Sequence, residues 1–544
     1  MNLNDPDGLV NLRDLAQRIE QTAPSNKSIP IVFVPGFTGW GAPLFGGVNY
    51  FGGVIDIPKL LVREGYTVIV APVAPISTNW ERACELYSQL TFGQFSTVNP
   101  QTGSIDEVYD VNVDYGSYLT TDPDHAPEQT RTAHRRRAIL FSNSTDYHNW
   151  RWDRDHKVHF ICHSQGGNTV RYLISLMANG SPNFHPDYFT QTGRDDWTVS
   201  VTTLGTPHKG TTITDALESF LSRSIQEAGG LIARLFATAS FYAPEKRAYD
   251  LQLDHWGICR VAGENFQDML TRLESENGPV WKWLRSQKNG FYDNSIKGVH
   301  QLSEDAINTS QHVYYFSLSF HATNPFPEDW PAWGRSAMDS FPTSIESFVR
   351  GTIGSIPIVG WLIDRLIDAM TASGWAFITT ITSFRSFVEW VTKSVITRVL
   401  GELGYNLVLP GPGHFIPRKD VIPIFLPTVY AMGGQELTQE QRTILGPSIG
   451  DWFQNDGVVN TESMSGPRNA VVRSISDLPD LDFSTANKRG IYWHLGVNDK
   501  MDHADEVGVF IEQSTGELMK GMYLNIANVI SRLPVNQPAP RPHI

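Results

Sequence analysis

The chain has 544 residues, of which 41% are hydrophobic and 18% are charged, and its formal net charge is −14 at pH 7. This composition is typical of a globular protein and excludes a disordered one. The negative charge argues against binding to nucleic acid or to an anionic membrane surface, because both attract basic patches. A chain of this length is compatible with one α/β domain that carries large insertions.

The N-terminal stretch has acids where a secretory signal peptide has a basic region. Asp5 and Asp7 lie in the first eight residues, and no apolar segment follows them. The pattern predicts no signal peptide in this chain, so we expect either a cytoplasmic protein or a secreted mature form that lacks its leader. The three cysteines, at positions 84, 162 and 259, cannot all pair and fit either compartment.

The first buried strand is predicted at 30–35, where an apolar run leads into the glycine-rich loop 35–41. Glycines allow a backbone to approach a ligand closely. A loop in this position can therefore direct a backbone N–H at a bound oxygen, and Phe37 is the residue that we expect to supply it.

The most informative stretch is 158–167, in which an apolar run ends abruptly in a turn and a helical segment follows. This is the strand–turn–helix context of a nucleophile elbow, in which a sharp turn exposes a serine hydroxyl above a sheet. Cys162 replaces the first glycine of the usual G-x-S-x-G pattern. The pattern predicts Ser164 as a nucleophile and the N–H of Gln165 as a donor to the oxygen of a bound acyl group.

A serine nucleophile requires a base and an orienting carboxylate, which in this fold follow it in the order Ser, Asp or Glu, His. Asp456 lies in an Asn-Asp-Gly turn. His503 follows the apolar run at 490–493, which is a predicted strand. With 16 histidines present, spacing alone also allows an ordinary turn and a surface histidine. The glycine-rich loop and the segments of Ser164, Asp456 and His503 occur in the order and local context that this chemistry requires. Their agreement favours a triad of these three residues.

Several Val- and Ile-rich runs are typical of a parallel sheet that is covered on both faces. The predicted strands are 30–35, 67–72, 158–162, 198–204, 312–319 and 490–494. The predicted fold class is α/β, an α/β-hydrolase fold with a mainly parallel central sheet and helical lid and cap insertions. Active residues are expected where the strands end.

Seven short motifs occur in an order that resembles the thermoalkalophilic bacterial lipases, a family of α/β-hydrolases with a structural zinc. The motifs are at 35–41, 50–54, 79–85, 163–167, 200–211, 253–257 and 455–461. The resemblance covers patches from about residue 29 to His503, but not the first 28 residues, the stretch of about 323–430 or the C-terminal tail. It implies hydrolysis of water-insoluble acylglycerols and a mobile lid.

The resemblance assigns a role to five residues of this chain. It implies Ser164 as nucleophile, Asp456 as acid and His503 as base. It also implies that Phe37 and Gln165 donate to the oxyanion. The departures from the family pattern are small: its His-Gly opening is Pro-Gly here, and its Ala before His-Ser is Cys.

A structural zinc site built from two acids and two histidines is also implied by the resemblance. Glu81 stands where the family has Asp, and Asp254 matches directly. The family histidines follow a Val-Asp-Tyr-Gly segment, here 113–116, which makes His125 and His134 the candidates. Eight residues separate these two histidines where the family has five. A closed four-ligand zinc site of this kind is structural.

The histidine assignment leaves alternatives open. Other histidines compete for the zinc, namely His148, His156 and His159. All of them can also be solvated loop residues, and the acids can be ordinary surface acids. The family further binds calcium after the catalytic histidine. Here Asp505 stands near the first calcium carboxylate but Phe510 falls on the second, so a preserved Ca²⁺ site is not expected.

Two segments have the apolar density of interfacial helices. Apolar residues recur at helical spacing over 215–241, with a break at Gly229–Gly230, and this segment matches the lid of the family. An ordinary core-facing helix is the alternative. Over 341–403 charged residues interrupt every apolar run before it reaches the ~18–20 residues of a membrane span. We interpret this second segment as a helical cap, either packed on the core or in contact with lipid.

The predicted organisation is one α/β-hydrolase domain over 29–515, between an N-terminal extension over 1–28 and a C-terminal helix and tail over 516–544. Its expected insertions are a zinc subdomain at about 80–150, a lid at about 211–245 and the cap at about 341–403.

Three functional interpretations follow. The first is a lipase, a carboxylic ester hydrolase that acts through a Ser-Asp-His triad and an acyl-enzyme on a lipid or ester substrate at an oil–water interface. A carboxylesterase of soluble substrates is the near alternative, and chain-length preference separates the two. A catalytically silent lipid-binding protein of the hydrolase fold is the third. The presence of every triad residue type and of both oxyanion positions argues against this last interpretation.

Overall fold

The computed structural model describes residues 7–535 with gaps at 42, 45–47, 54, 93, 99–104, 107, 120–131, 145, 148, 216–224, 248, 326–412, 419, 423–424, 447–448, 451 and 510–512. The cap segment 341–403 and the candidate zinc ligand His125 therefore lie outside the described residues, as does Phe510.

A ten-stranded sheet forms the centre of the described chain. The strands in chain order are β1 (Ile31–Val34), β2 (Val68–Val70), β3 (Ser96–Val98), β4 (Ile105–Asp106), β5 (Tyr109–Asp114), β6 (Thr132–Arg136), β7 (Ile139–Phe141), β8 (Val158–His163), β9 (Thr198–Leu204), β10 (Tyr314–Phe320), β11 (Thr323–Pro325), β12 (Phe415–Pro417), β13 (Val471–Ser474) and β14 (Ile491–Asn498). The central sheet has the order β13-β14-β10-β9-β8-β1-β2-β7-β3-β4, while β5 pairs with β6 and β11 with β12.

The seven strands from β13 to β2 pair in parallel, whereas β7 and β4 each pair antiparallel with a neighbour. The sheet is therefore mixed but mainly parallel, which agrees with the predicted α/β class. All six predicted strands are present, as β1, β2, β8, β9, β10 and β14. The four strands that were not predicted in the central sheet, β3, β4, β7 and β13, are two to four residues long, too short to give a periodic pattern in the sequence.

Helices cover both faces of the sheet. Those described are α1 (Asp7–Glu20), α2 (Ile57–Arg63), α3 (Asn79–Thr91), α4 (Gln165–Asn179), α5 (Pro186–Phe189), α6 (Ile225–Ser240), α7 (Phe266–Glu274), α8 (Pro279–Arg285), α9 (Gly290–Asn294), α10 (Ile296–Asp305), α11 (Leu426–Gly433), α12 (Gln439–Leu445) and α13 (Gln513–Ile530). None of the helices within the described ranges is both long and apolar enough to cross a membrane.

Successive residues of β1 face opposite layers of the core, as the pleat of a strand requires. Ile31 and Phe33 belong to the layer that contains α1 and α13. Val32 and Val34 belong to the layer that contains α3 and α4. Burial of every β1 position explains why its sequence is continuously apolar instead of alternating.

The N-terminal helix α1 packs directly on the sheet. Gly8 approaches the backbone of Gly496, where a side chain at position 8 would leave no room, and the side-chain amide of Asn11 donates to the carbonyl of Leu495 at 2.7 Å. Helix α13 lies on the same side and contacts α1. Both ends of the described chain therefore contribute to the core that covers one face of the central sheet.

Helix α6 lies in the segment that matches the lid of the family. It is a continuous helix through Gly229–Gly230, so the expected break is absent, since two glycines cost helix stability but still permit helical backbone. Its C-terminal half packs against α7 and α8, with the Phe236 ring 5.5 Å from that of Trp283. Residues 216–224, the first part of this segment, lie outside the described residues.

Candidate active site

Ser164 lies at the sharp turn between β8 and α4. Its backbone has φ 53° and ψ −131°, a conformation that is strained for a residue with a side chain. The N–H of Ser164 donates to the carbonyl of Leu204 at the end of β9, at 2.9 Å. The turn thus has the strain and the position at a strand C-terminus that define a nucleophile elbow.

Two glycines allow the glycine-rich loop to pack against this turn. A Cβ at Gly36 would lie 2.5 Å from the Cβ of Ser164, and a Cβ at Gly166 would lie 2.5 Å from the carbonyl oxygen of Val34. Only residues without a side chain permit this approach. The predicted oxyanion loop and the predicted nucleophile are therefore in direct contact.

The structure brings Asp456 and His503 together. Nδ1 of His503 lies 2.7 Å from Oδ2 of Asp456, and the N–H of His503 donates to the backbone carbonyl of Asp456 at 3.0 Å. The other carboxylate oxygen, Oδ1, accepts from the N–H groups of Val458 and Val459 at 2.8 and 2.7 Å. A carboxylate fixed in this way holds the imidazole in the tautomer that protonates Nδ1 and leaves Nε2 as a base.

His503 lies beside the elbow. The centre of its ring is 4.4 Å from that of His163, the residue that precedes Ser164. Ser164 is 2% exposed and His503 is 7% exposed, so both are nearly enclosed by the described chain. Asp456 and His503 thus lie beside the turn that holds Ser164, at the C-terminal edge of the sheet.

The two predicted oxyanion donors flank Ser164. Gln165 is the first residue of α4, so its N–H is one of those that have no acceptor within the helix. In the loop, Gly36 donates to the hydroxyl of Tyr50 at 3.1 Å and Thr38 donates to the carbonyl of Pro75 at 2.7 Å. Phe37 lies between these two anchored residues, which fixes the direction of its N–H.

Arg82 was not assigned a role from the sequence, but it holds the oxyanion loop. Its guanidinium is fully buried and donates to the carbonyls of Pro35 and Gly36, and to that of Ala74 at 2.7 Å. Burial lowers the pKa of Arg82 to about 10, against the opposing effect of Glu85. Its place in a recognisable motif on α3 was the only sequence signal, because its partners are three backbone carbonyls and the hydroxyl of Thr169, which is distant in the chain.

A further acid, Glu506, lies next to His503 and was also missed. It is fully buried, and its carboxylate lies 3.1 Å from Nε2 of His163 and 3.6 Å from Nδ1 of His503. The three side chains each offer one ligand atom within 4.8 Å of one another and could hold a metal ion. The arrangement does not identify a metal.

The predicted zinc ligands have other partners. Oε1 of Glu81 pairs with Nε2 of His255 and accepts from Nε1 of Trp256 at 3.0 Å. Its other oxygen, Oε2, caps α3 by accepting from the N–H and the hydroxyl of Thr78 at 2.8 and 2.7 Å. His134 is exposed on β6. Neither oxygen of Glu81 is left without a protein partner.

Arg135 lies where the resemblance implies the metal. It is 1% exposed, and its guanidinium donates to Oδ1 of Asp254 at 2.7 Å, to Oε1 of Glu85 at 3.1 Å and to Nδ1 of His255 at 3.0 Å. Because arginine cannot accept, Nδ1 of His255 must be the acceptor and its Nε2–H must donate to Glu81. We call these five side chains the Arg135 cluster.

The three acids of this cluster all have hydrogen-bond partners. Burial alone would raise the pKa of Asp254, but the charge of Arg135 holds it below its ordinary value. The pKa of Glu81 is likewise lowered by His255 against the effect of burial. A zinc ion at this position would face a fixed guanidinium and acids already bound. The described residues therefore do not fit the expected zinc, and no step of the chemistry below uses one.

Asp505, which the resemblance placed near a calcium ligand, is also engaged by protein groups. Its carboxylate accepts from the N–H of Asp502 at 3.3 Å and from the hydroxyl of Thr515 at 3.2 Å. Burial raises the pKa of Asp505 well above its usual range, and the nearby Asp502 adds to this effect.

Comparison with known proteins finds similarity to lipases. A family model described as the C-terminal domain of lipase-like proteins matches residues 132–325. The lipase of Staphylococcus hyicus is 28% identical over 312 residues, which cover 55% of this chain and 41% of that protein. The chain thus matches about two fifths of the length of that relative.

Two solved structures resemble the whole described fold. Lipase 1 from Pelosinus fermentans is 25% identical, with a TM-score of 0.54 over 92% of this chain and 99% of that one. EstA from Clostridium botulinum is 23% identical, with a TM-score of 0.56 over 99% and 100% of the two chains. The second likeness bears on the fold alone.

Proposed function

We propose that this member of a bacterial lipase family is a serine ester hydrolase that cleaves acylglycerols and related carboxylic esters through an acyl-enzyme. The observation that carries the proposal is the contact of His503 with Asp456, beside the strained turn that holds Ser164. A structural histidine does not require a nucleophile elbow next to it. The combination is the one that acyl transfer needs.

In the first half of the reaction, Nε2 of His503 takes the hydroxyl proton as Oγ of Ser164 attacks the ester carbonyl. The carbonyl oxygen becomes an oxyanion, and the N–H groups of Phe37 and Gln165 donate to it. One such donor typically contributes ~3–4 kcal/mol to the transition state. The imidazolium of His503 then gives its proton to the leaving alcohol, and the acyl group remains on Ser164.

In the second half, water attacks the acyl-enzyme. His503 takes a proton from the water, the same two N–H groups stabilise the second oxyanion, and the proton returns to Ser164 as the fatty acid leaves. Asp456 keeps its charge throughout and stabilises the imidazolium, because its second oxygen remains bound by two backbone N–H groups.

We assign the segment around α6 to a lid that covers the acyl site in water. Opening such a segment exposes apolar surface to water, which costs about 25 cal/mol per Å². Contact with a lipid surface removes that cost. Phe236 packs on Trp283 in the core, whereas Leu235 is only partly buried. Leu235→Ser should therefore weaken action on emulsified long-chain esters more than on a dissolved short-chain ester. Equal losses would mean that α6 is only structural.

The test of the function compares the wild type with Ser164→Ala on short- and long-chain acyl esters, in solution and emulsified. Ser181→Ala, at the C-terminal end of α4, is a control. A fluorophosphonate should label the wild type and Ser181→Ala at one residue, Ser164, and should leave Ser164→Ala unlabelled. Hydrolysis of dissolved short esters alone would make the protein a carboxylesterase. Lipid binding without hydrolysis or labelling would make it a silent binding protein.

A further inference from the structure

A buried carboxylate that has no role in the reaction above lies against the proposed base. Glu506 is 0% exposed and lies one helical turn after His503 in the chain. Its Oε1 is 3.6 Å from Nδ1 of His503, and its Oε2 is 3.1 Å from Nε2 of His163. His503 thus has a second acidic neighbour beside Asp456.

The surroundings of Glu506 make its presence costly. Both carboxylate oxygens, together with Nε2 of His163, are buried without a well-directed hydrogen bond from the residues that the structure describes. Burying such a group without donors is unfavourable, and native proteins rarely retain one without a reason. Burial accordingly raises the pKa of Glu506 well above its usual range, whereas the charge of His503 acts to lower it.

The carboxylate is nevertheless held in a defined place. A Cβ at Gly205, just after β9, would lie 2.1 Å from Oε2 of Glu506, so this glycine leaves room for the acid. The backbone carbonyl of Glu506 accepts from the hydroxyl of Tyr523 on α13 at 3.1 Å. Gly205 thus leaves space for the carboxylate, and Tyr523 anchors the backbone of Glu506.

Glu506 is also connected to the oxyanion loop. Nδ1 of His163 lies 2.6 Å from the hydroxyl of Tyr50, and that hydroxyl accepts from the N–H of Gly36 at 3.1 Å. Since Tyr50 accepts from the loop, its own hydroxyl proton can go to His163. The proton of His163 is then on Nε2, which faces Glu506. A continuous polar chain therefore runs from the base side of the site to the oxyanion side.

We propose that Glu506 is a positioning residue that orients His503 and His163 and stabilises the imidazolium that forms when His503 takes the proton of Ser164. The interaction of a carboxylate with His503 strengthens as that ring becomes charged, so Glu506 favours the transition state over the reactive resting form, in which His503 is neutral. It acts through His503 and touches no substrate. This inference rests on the proposed function.

The test uses Glu506→Gln, which keeps the size of the side chain and removes its charge. We expect the pH-independent kcat to fall about 10- to 100-fold with KM within about twofold, because the lost interaction is made in the transition state. We also expect Tm to change little, because removing a buried charge that has no well-directed donor offsets the loss of its interaction with His503. A purely structural role predicts instead a loss of Tm together with activity.

Glu506→Asp is the conservative variant and should retain more kcat than Glu506→Gln, because it keeps the charge at a longer distance. Glu517→Gln, an exposed acid on α13, is the control and should match the wild type. If Glu506→Gln fails to fold, the same comparison of kcat, KM and Tm is made on Glu506→Asp. If neither folds, the acid is structural and the proposal fails.

The two proposals fail in different ways. If the wild type does not hydrolyse esters or react with a fluorophosphonate, the proposed function itself is wrong. If the wild type is active and Glu506→Gln has the same kcat, the function stands and the role of Glu506 is overturned. All measurements are made after chelator treatment, so that a metal ion on His163, His503 and Glu506 does not mask the result.

Discussion

Two buried polar clusters lie on this fold, and they differ in how completely their groups are paired. In the Arg135 cluster, the guanidinium binds two acids and a histidine, and the oxygens of Glu81 all have donors. In the cluster around His503, both oxygens of Glu506 lack a well-directed donor, and Ser164 has a strained backbone. Full pairing is suited to stability, whereas incomplete pairing leaves charge available for a reaction.

This difference predicts which property, folding or turnover, a substitution in each cluster should change. Substitutions in the Arg135 cluster should affect folding more than turnover. Substitutions around His503 should affect turnover more than folding.

The largest effect is expected from His503→Ala and Asp456→Asn. Each should lower kcat by roughly four orders of magnitude, because the base is lost or is held in the wrong tautomer. Tm should fall by no more than the stability that the raised pKa of His503 contributes, because neither residue supplies the hydrophobic core. Initial rates and a thermal melt of the same preparations check both parts. Loss of Tm in step with kcat would remove the contrast between the clusters.

The next effect is on stability, from Arg135→Met. Removing the guanidinium leaves Glu85 and Asp254 without their buried partner, which typically costs about 3–5 kcal/mol of unfolding free energy. Denaturant unfolding measures this loss, and kcat of the protein that remains folded should stay near that of the wild type. Arg137→Met is the control from the end of the same hairpin, because the pair of Arg137 with the exposed Asp110 should contribute only about 0–1 kcal/mol.

The pH dependence of kcat/KM tests the cluster around His503. Burial acts to lower the pKa of His503, but Asp456 and Glu506 raise it to about 10. The base must be neutral, so kcat/KM should rise by about tenfold per pH unit while the pH is below that pKa. A rate that is constant between pH 7 and 9 would contradict the expectation.

Stability should respond to pH in opposite ways in the two clusters. The raised pKa of His503 gives stability that is present below its unfolded pKa and is lost as pH rises toward about 10. The lowered pKa values of Glu81 and Asp254 give stability that is present above their unfolded pKa values and is lost in acid. Arg135→Met should therefore remove the contribution of Asp254 to the acid side of a plot of unfolding free energy against pH, keep that of Glu81, and leave the alkaline side unchanged.

The smallest effect is expected from a chelator. Because Arg135 takes the position implied for zinc, the described residues offer no closed metal site there. Treatment with a chelator should shift Tm by less than about 1 °C, whereas loss of a structural zinc lowers stability strongly. Elemental analysis that finds one zinc per chain, together with a large fall in Tm, would contradict this expectation and restore the zinc prediction.

Much of the fold could be predicted from the sequence because it depends on local patterns. A continuous apolar run such as 31–34 specifies a strand buried on both faces, whatever lies far away in the chain. The small residues around Ser164 specify the sharp turn in the same way. Asp456 and His503 were also chosen from local context, and the structure places them 2.7 Å apart, while their catalytic roles stay a proposal.

Only the tertiary structure decided the partners of the buried charges. Arg135 and Asp254 are 119 residues apart in the chain, and neither stands in a motif that names the other. In the sequence, nothing distinguishes Glu506 from any other acid near a histidine. Only the fold shows that His163 and Gly205 lie against it. The role of a buried charge depends on the groups within a few ångströms of it, and strand order and helix packing determine which groups those are. The sequence alone could therefore name the candidate reactive groups, but it could not show that an arginine occupies the position expected for a metal.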